Sequence, residues 1–351
     1  MINGICENED QLLDAVEHPE EETDNNEPLE VLNLPASFTL AEYTSKLDKG
    51  IFYRPEFQRN RVWTDKNKSR FIESLLFGYP ITQVLLYKNP EKESYLIVDG
   101  YQRITTIYDF MKNNLKLSGI TDEYNGKIFD NLSEDVREKF SNIQIQALII
   151  RQIKKNPYTL YSIFERINTG GQNLNNMEVR RAVNYGPFMK ALEELNADEN
   201  WRKILGIDGI NNRFLDVELL LRLVAFYYSW DSENSEMRNY KSMKGFLNKY
   251  AEDNSQGNID EFNILFKNAA KLIVEELGEK PFTLYTRYNY VLLDSVITAV
   301  LLSGANISNL KGKFEMLKLD DEFKKIYEAK QGTISLKAVN DRIAIATRII
   351  S

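Results

Sequence analysis

The residue types best suited to chemistry lie close together between positions 95 and 108 of the chain. An apolar run at 96–98 predicts a buried strand, and apolar residues at helical spacing predict a helix that begins just after Gly100. The turn between them carries Asp99, Gln102 and Arg103. Glycine lets another group approach the backbone, the N–H groups of a helix start attract anions, and Arg103 can clamp a phosphate. The turn therefore predicts an anion site, with a plain Asp-Gly turn as the alternative.

A second set of candidate phosphate ligands, Gln58, Arg59 and Arg61, lies in a segment that Pro55 marks as extended. Side chains alternate in direction along such a segment, so Arg59 and Arg61 face one way and Gln58 the other. Two guanidinium groups on one side can hold a di- or triphosphate or a DNA backbone. Solvated charges on an edge strand are the alternative.

A third set of candidate residues lies in and beside the polar turn at 168–173. Arg166 and Asn168 stand beside two glycines that would let the turn fold over a ligand, and a helix that simply ends is the alternative. Downstream, Glu178 joins Asp99 as a candidate general base or Mg²⁺ ligand, because magnesium prefers oxygen and needs one or two carboxylates beside substrate phosphates. For each of these acids, a structural pairing with a nearby arginine is the alternative.

The histidine and cysteine content excludes several classes of site. The chain has one histidine, His18, and one cysteine, Cys6. We therefore expect no Cys/His zinc site, no Ser-His-Asp triad and no His-dependent metal nuclease. A single cysteine allows no internal disulfide and predicts a cytoplasmic protein. No run of about 18 apolar residues is free of charge, so we expect no membrane span.

Charge is distributed unevenly along the chain, whose formal net charge is −8. Residues 1–30 contain eleven of the 52 acidic residues and no Lys or Arg. The remaining 41 acids face 44 bases, which leaves the rest of the chain at +3. We expect an acidic disordered leader over 1–30, which either solubilises the protein or competes with nucleic acid for basic surface on the body.

The sequence predicts two folded domains that position the candidate residues, and together these domains make an α+β fold. The first, over 31–187, is mixed α/β: a capped helix from Thr39 to Lys49, a helix after Thr64, and a helix over 102–112 alternate with strands. Its predicted strands span 81–87, 95–98 and 143–153, and further helices span 160–167 and begin at 176. Over 188–351 the strand signals vanish, and this domain is predicted to be all-helical. Its predicted helices span 214–230, 240–251, 259–277, 285–302, 310–317 and 335–350.

Three blocks of residues occur in a fixed order along the chain: Phe57-Gln58-Arg59, Asp99-Gly100-Tyr101-Gln102-Arg103, and Asn168-Thr-Gly-Gly followed by Glu178. In this order they resemble the N-terminal domain of GmrSD-type restriction proteins, a family with a ParB/sulfiredoxin-like fold from bacterial phage-defence systems. The resemblance covers roughly residues 35–185. The family's second block usually has two glutamines, and Tyr101 replaces the first of them.

The resemblance implies nucleotide binding, with hydrolysis in some members, coupled to DNA cleavage or to sensing of modified DNA. Together with the residue chemistry it leads to a set of predicted site residues. The predicted catalytic residues are Asp99, Gln102 and Glu178, of which Asp99 and Glu178 are also the predicted Mg²⁺ ligands. The predicted nucleotide- and phosphate-binding residues are Gln58, Arg59, Arg61, Gly100, Tyr101, Arg103, Arg166 and Asn168.

We therefore expect a cytoplasmic, nucleotide-binding component of a bacterial phage-defence or restriction system, with an NTP as ligand or substrate and Mg²⁺ as cofactor. DNA and a separate nuclease or defence-system subunit are the expected partners, and a homo-oligomer stays open. A stand-alone Mg²⁺-dependent DNA endonuclease that uses carboxylates is one alternative, and a non-enzymatic DNA-binding or regulatory module is another. No His-Asn-His nuclease domain is expected in this chain, because no histidine follows position 18.

Overall fold

The computed structural model describes residues 30–53, 63–89, 92–153, 160, 163, 175–207, 209–211, 213–238, 240–284, 287–304, 307–329 and 332–351. They fall into two compact units, the sheet unit within 27–173 and the helical unit within 174–351. Helix Asn176–Val183 belongs to the helical unit, so the division comes earlier along the chain than the predicted boundary after residue 187. The predicted disordered leader lies outside the described residues except for its last residue, Glu30.

The described part of the sheet unit contains five strands, four α-helices and a short 3₁₀ helix at Phe129–Asn131. Its strands are β1 (Val31–Thr39), β2 (Phe52–Tyr53), β3 (Val84–Lys88), β4 (Tyr95–Asp99) and β5 (Gln144–Gln152). Its helices are α1 (Leu40–Asp48), α2 (Asp65–Leu76), α3 (Tyr101–Met111) and α4 (Glu134–Asn142). The predicted helix over 160–167 falls almost entirely outside the described residues.

The five strands form one mixed sheet in the order β1-β5-β3-β4-β2. β1 runs antiparallel to β5, β3 runs parallel to β5 and antiparallel to β4, and β2 runs parallel to β4. The strand that leads into the candidate turn, β4, therefore lies inside the sheet, hydrogen-bonded on both sides. This pairing fixes the position of the turn, because a ladder on each side holds the strand in register.

Local capping explains why the first two helices were predictable. Thr39 begins α1 with a capping box, in which its side chain accepts from the N–H of Glu42 and the Glu42 carboxylate accepts from the N–H of Thr39. Thr64 begins α2 by accepting a hydrogen bond from the N–H of Asn67. Such caps satisfy backbone N–H groups that a helix start leaves without partners.

One apolar core holds the four helices against the sheet. Each helix contributes a side chain that is at most 1% exposed: Leu40, Ile72, Ile107 and Phe140. They pack with sheet residues such as Ile97, which has no exposed surface. Burying a side chain of this size contributes about 1.5–3 kcal/mol, so α3 is firmly seated beside the strand that precedes it.

The described part of the helical unit has ten helices. They are α5 (Asn176–Val183), α6 (Pro187–Leu195), α7 (Glu199–Leu205), α8 (Leu215–Ser229), α9 (Met243–Asp253), α10 (Asp260–Leu277), α11 (Tyr290–Ser303), α12 (Leu310–Leu319), α13 (Asp321–Tyr327) and α14 (Leu336–Ile350). The unit also has two pairs of two-residue strands, Trp230–Asp231 with Glu236–Met237 and Thr283–Leu284 with Arg287–Tyr288. The prediction of no strands here was wrong in this detail, because a two-residue strand shows no periodicity in sequence.

Two helices of this unit, α8 and α11, are buried on almost every side. The charged residues that interrupt their apolar sequences are paired rather than exposed. Arg222 Nη2 lies 3.4 Å from Glu218 Oε1, and Asp294 Oδ2 lies 2.8 Å from Arg342 Nη2. Across the described residues, no helix combines the length and the apolar content that crossing a bilayer requires.

Candidate functional site

The turn between β4 and α3 is formed as the sequence predicts. β4 ends at Asp99, Gly100 is the residue before the helix, and α3 begins at Tyr101. Opposite this end of β4 the ladder with β3 is irregular: Leu85 pairs with Asp99 but Leu86 pairs with Ile97. β4 thus holds one extra residue in a bulge, a feature that re-aims side chains beside functional sites.

Gly100 is required here for two physical reasons. Its φ of +95° lies in the left-handed region, which residues with a side chain rarely adopt. A Cβ at this position would also lie 3.0 Å from Arg103 Nη2 and 3.0 Å from Val84 Cγ2. The sequence suggested that a ligand could approach the glycine backbone. In the structure, the groups that approach it are the side chains of Arg103 and Val84.

Arg103, predicted to clamp a phosphate, makes a set of hydrogen bonds within the protein. Its Nη2 donates to Asp99 Oδ2 at 2.6 Å, and the two residues, four positions apart in the chain, form an ion pair. Its Nη1 donates to the Thr82 carbonyl oxygen, to Thr82 Oγ1 at 2.6 Å and to the Gln83 carbonyl oxygen at 3.2 Å. With these contacts the side chain is 13% exposed.

Asp99 is the more accessible partner of the pair, with 54% of its side chain exposed. Within the described residues, Arg103 is the hydrogen-bond donor that its carboxylate contacts. No group of three or more His, Cys, Asp or Glu residues in the described part of the chain is arranged to hold a metal ion. A lone carboxylate fits an Mg²⁺ ion that arrives with a phosphate chain and keeps most of its waters, and does not fit a permanently bound ion.

Gln102 and Tyr101 occupy the first turn of α3 in different ways. The Gln102 side-chain oxygen accepts a hydrogen bond from the backbone N–H of Trp63 at 3.2 Å. The Trp63 ring stacks edge-on against Phe71 of α2, with ring centroids 5.3 Å apart. Tyr101 is half-buried against the core of the sheet unit. The amide of Gln102 thus holds the backbone at Trp63, four residues after the block Phe57-Gln58-Arg59.

Glu178 lies in the helical unit, where its carboxylate takes part in a helix cap and an ion pair. It completes a capping box at the start of α5, accepting from the N–H of Asn175 at 2.7 Å while its own N–H donates to Asn175 Oδ1. Its Oε2 also lies 3.6 Å from Arg213 Nη2. The residue has no exposed surface. This is the geometry of the structural alternative, and the catalytic and Mg²⁺-binding roles of Glu178 stay predictions.

The other predicted ligands lie outside the described residues: Gln58, Arg59, Arg61, Arg166 and Asn168. Within the described residues, the structure brings together Asp99, Gly100 and Arg103, with Gln102 in the same helical turn. Tyr290 is a core residue of the helical unit, and Tyr288 is partly buried against that core.

Sequence reasoning missed Thr82 and Gln83, the residues that fix the Arg103 guanidinium. They precede β3, the antiparallel neighbour of β4, and both contacts to Arg103 span about twenty residues of chain. A polar pair near the start of the predicted strand over 81–87 was the signal, but its contact with Arg103 depends on which strand pairs with β4. That pairing is a long-range property that local pattern does not give.

Comparison with known proteins supports the family that the three sequence blocks predict. Residues 40–185 match the model of a family described as GmrSD restriction endonuclease, N-terminal domain. All three sequence blocks lie in this range, so the predicted family is confirmed for this part of the chain. No curated protein matches the chain. A solved structure of a Pnob8-like ParB-N domain, in its C2221 form, is 11% identical and covers 92% of this chain and 99% of its own, at a TM-score of 0.23.

A TM-score this low carries no argument about fold. The α+β class is confirmed by the strands and helices themselves, with a mixed sheet in the first unit and mostly helix in the second. The ParB/sulfiredoxin-like assignment stays a prediction from the three blocks.

Proposed function

Because residues 40–185 carry a GmrSD-type N-terminal domain, we propose that this chain is a nucleotide-binding component of a bacterial restriction or phage-defence system that acts on DNA. The observation that carries the proposal is the turn at Asp99-Gly100, where a strand inside the sheet leads directly into an eleven-residue helix. The first turn of α3 contains no acidic residue and contains Arg103. A helix start of this kind favours a phosphate group through its N–H groups and its dipole.

The residues of the turn have different roles in this proposal. The N–H groups at the start of α3 and the guanidinium of Arg103 bind the phosphates, and Gln102 positions the backbone at Trp63. The Asp99 carboxylate would contact an Mg²⁺ ion that the nucleotide brings with it, and the ion would neutralise part of the phosphate charge. In the hydrolysing form of the proposal, Asp99 also orients the attacking water.

Titration calorimetry of the full chain with GTP, ATP and CTP, with Mg²⁺ present, tests nucleotide binding. Arg103→Ala should weaken binding of whichever nucleotide is bound by about 1.5–3 kcal/mol, because a charge-assisted hydrogen bond to phosphate is lost. Lys68→Ala is the matched control, since Lys68 also pairs with an aspartate of α3, Asp109, at 2.9 Å but lies away from the turn. Unchanged affinity in Arg103→Ala for every nucleotide bound would contradict the proposal.

A binding module without turnover is a second candidate, and the geometry of Glu178 favours it. One of the two candidate catalytic carboxylates is already engaged in a helix cap and an ion pair. The second, Asp99, is paired with Arg103. Release of inorganic phosphate from the bound nucleotide, measured with and without DNA, separates the two: Mg²⁺-dependent turnover lost in Asp99→Ala supports an NTPase, and tight binding without turnover supports the module.

A further inference from the structure

The Arg103 guanidinium is paired with an anion that belongs to the protein. Asp99 Oδ2 accepts from Nη2 at 2.6 Å, at the N-terminal end of α3 where an incoming phosphate would bind. A carboxylate and a phosphate carry the same sign of charge and use the same donor. Nη2 has two N–H groups, and the one directed at Asp99 can serve either the carboxylate or a phosphate, but not both.

We propose that Asp99 is an internal competitor for the phosphate group, and that the site opens when a divalent cation neutralises Asp99 and draws it away from Arg103. The inference rests on the proposed function, since it concerns how the same turn admits its ligand. It makes Mg²⁺ a requirement for binding as well as for chemistry. A phosphate chain without a cation meets one N–H of Arg103 that is already occupied and a carboxylate that repels it.

The two ends of the guanidinium are held in ways that suit an exchange. Nη1 donates to neutral acceptors, the Thr82 hydroxyl at 2.6 Å and the Gln83 carbonyl at 3.2 Å, which a phosphate need not displace. Nη2 donates to Asp99, whose side chain is 54% exposed. Thr82 and Gln83 are thus positioning residues, which keep Arg103 in place while Nη2 exchanges the Asp99 carboxylate for a phosphate.

The exposure of Asp99 and its place at the end of β4 allow the withdrawal. Its carboxylate can rotate into solvent toward a hydrated cation without disturbing the ladder, because the backbone at Asp99 is paired with Leu85 of β3. Arg103, at 13% exposure, has less freedom to leave.

Asp99→Asn tests the proposal, because it removes the competing charge while keeping the size of the side chain. The probe is inorganic tripolyphosphate, the phosphate chain that all NTPs share, titrated calorimetrically into the full chain in EDTA. We expect Asp99→Asn to bind it about tenfold more tightly than the wild type, which corresponds to one charge-assisted interaction regained. Asp99→Ser, which also removes the charge, serves if the asparagine variant does not fold.

Two further variants assign the gain to Arg103. Asp109→Asn removes one negative charge from α3 at a different ion pair, 2.9 Å from Lys68, and should leave the affinity for tripolyphosphate unchanged. The double variant Asp99→Asn with Arg103→Gln should lose the gain. Metal-free affinity in both Asp99 variants equal to or below that of the wild type would overturn the inference, as would an equal gain in Asp109→Asn.

The failure of the proposed function looks different. In that case wild-type protein binds no GTP, ATP or CTP even with Mg²⁺ present, whatever the variants do with tripolyphosphate. If the wild type binds a nucleotide equally well with Mg²⁺ and in EDTA, the proposed function stands and the inference about Asp99 is wrong.

Discussion

At the scale of single residues, Glu178 shows how one side chain serves two interpretations. Its carboxylate caps α5 and lies 3.6 Å from Arg213, and it has no exposed surface. If this role is structural, Glu178→Gln keeps an acceptor for the N–H of Asn175 and should lower stability by less than about 1 kcal/mol. Glu178→Ala removes the capping acceptor and should lower it by about 1–3 kcal/mol. Urea unfolding of both variants measures the difference.

The same two variants decide the catalytic interpretation. A structural Glu178 predicts that folded Glu178→Gln retains nucleotide binding and whatever turnover the wild type has. A general base or Mg²⁺ ligand at this position predicts the reverse, a stable Glu178→Gln protein whose turnover is lost because an amide cannot take up a proton. Stability retained with turnover abolished would therefore contradict the structural role.

The residues of the turn were largely predictable, and their partners were not. A glycine after a buried strand and before a helical pattern predicts a turn that another group can approach closely, and Gly100 lies in such a turn, beside Arg103. The link between Asp99 and Arg103 is local, four residues apart along one helix start. Thr82 comes to Arg103 only because β3 pairs with β4, and no pattern within the turn encodes that pairing.

At the scale of elements, the buried pair of Asp294 and Arg342 connects α11 to α14. Burial raises the pKa of Asp294 to about 6 from its ordinary value of 3.8, against the opposing effect of Arg342 and of Arg222 on α8. Within the described part of the chain, Tyr288 and Tyr290 are further titratable groups that interact with Asp294. The folded protein therefore holds this proton more tightly than the unfolded chain does.

The sign of the pH dependence follows from this shift. Between about pH 4 and 6 the folded state binds more protons at Asp294 than the unfolded state, so its contribution to the free energy of unfolding falls as pH rises and is level above about 6. We expect the stability of the wild type relative to Asp294→Asn to be greater at about pH 5 than at about pH 7.5. Urea unfolding at both pH values measures it.

Asp231→Asn provides the control with the opposite sign in the same unit. Hydrogen bonds from Asn234 and Arg238 lower the pKa of Asp231 to about 2. The advantage of the wild type over this variant should therefore grow as pH rises from acid toward neutral. If Asp294 behaves like Asp231, the ion pair with Arg342 outweighs the effect of burial.

Elements differed in how well the sequence predicted them, for a physical reason. α1 and α2 were predicted because Thr39 and Thr64 cap them through contacts three residues away. β1 was not predicted as a strand, because it is an edge strand with Pro35 in its middle and mostly exposed side chains. What makes it a strand is its pairing with β5, more than a hundred residues later.

At the scale of the whole molecule, charge distribution leads to the last prediction. Residues 1–30 carry eleven acids and no Lys or Arg, while the rest of the chain has a balance of +3. A tethered acidic segment competes locally with any other anion for basic surface, at an effective concentration on the order of millimolar. That is enough to weaken a low-affinity contact with DNA.

We therefore expect deletion of residues 1–30 to tighten non-specific DNA binding and to leave unfolding by urea unchanged. The gain should shrink as salt is raised, because the leader and DNA both act through charge and counterion release. Gel-shift titrations of the full-length and shortened proteins at low and high salt measure it. Replacing the eleven acids with Asn and Gln in the full-length chain is the matched control, since it removes the charge and keeps the length. A gain on deletion that this control does not reproduce would mean that the leader obstructs DNA by its bulk, and equal affinities in all three proteins at low salt would leave the leader without a role in DNA binding.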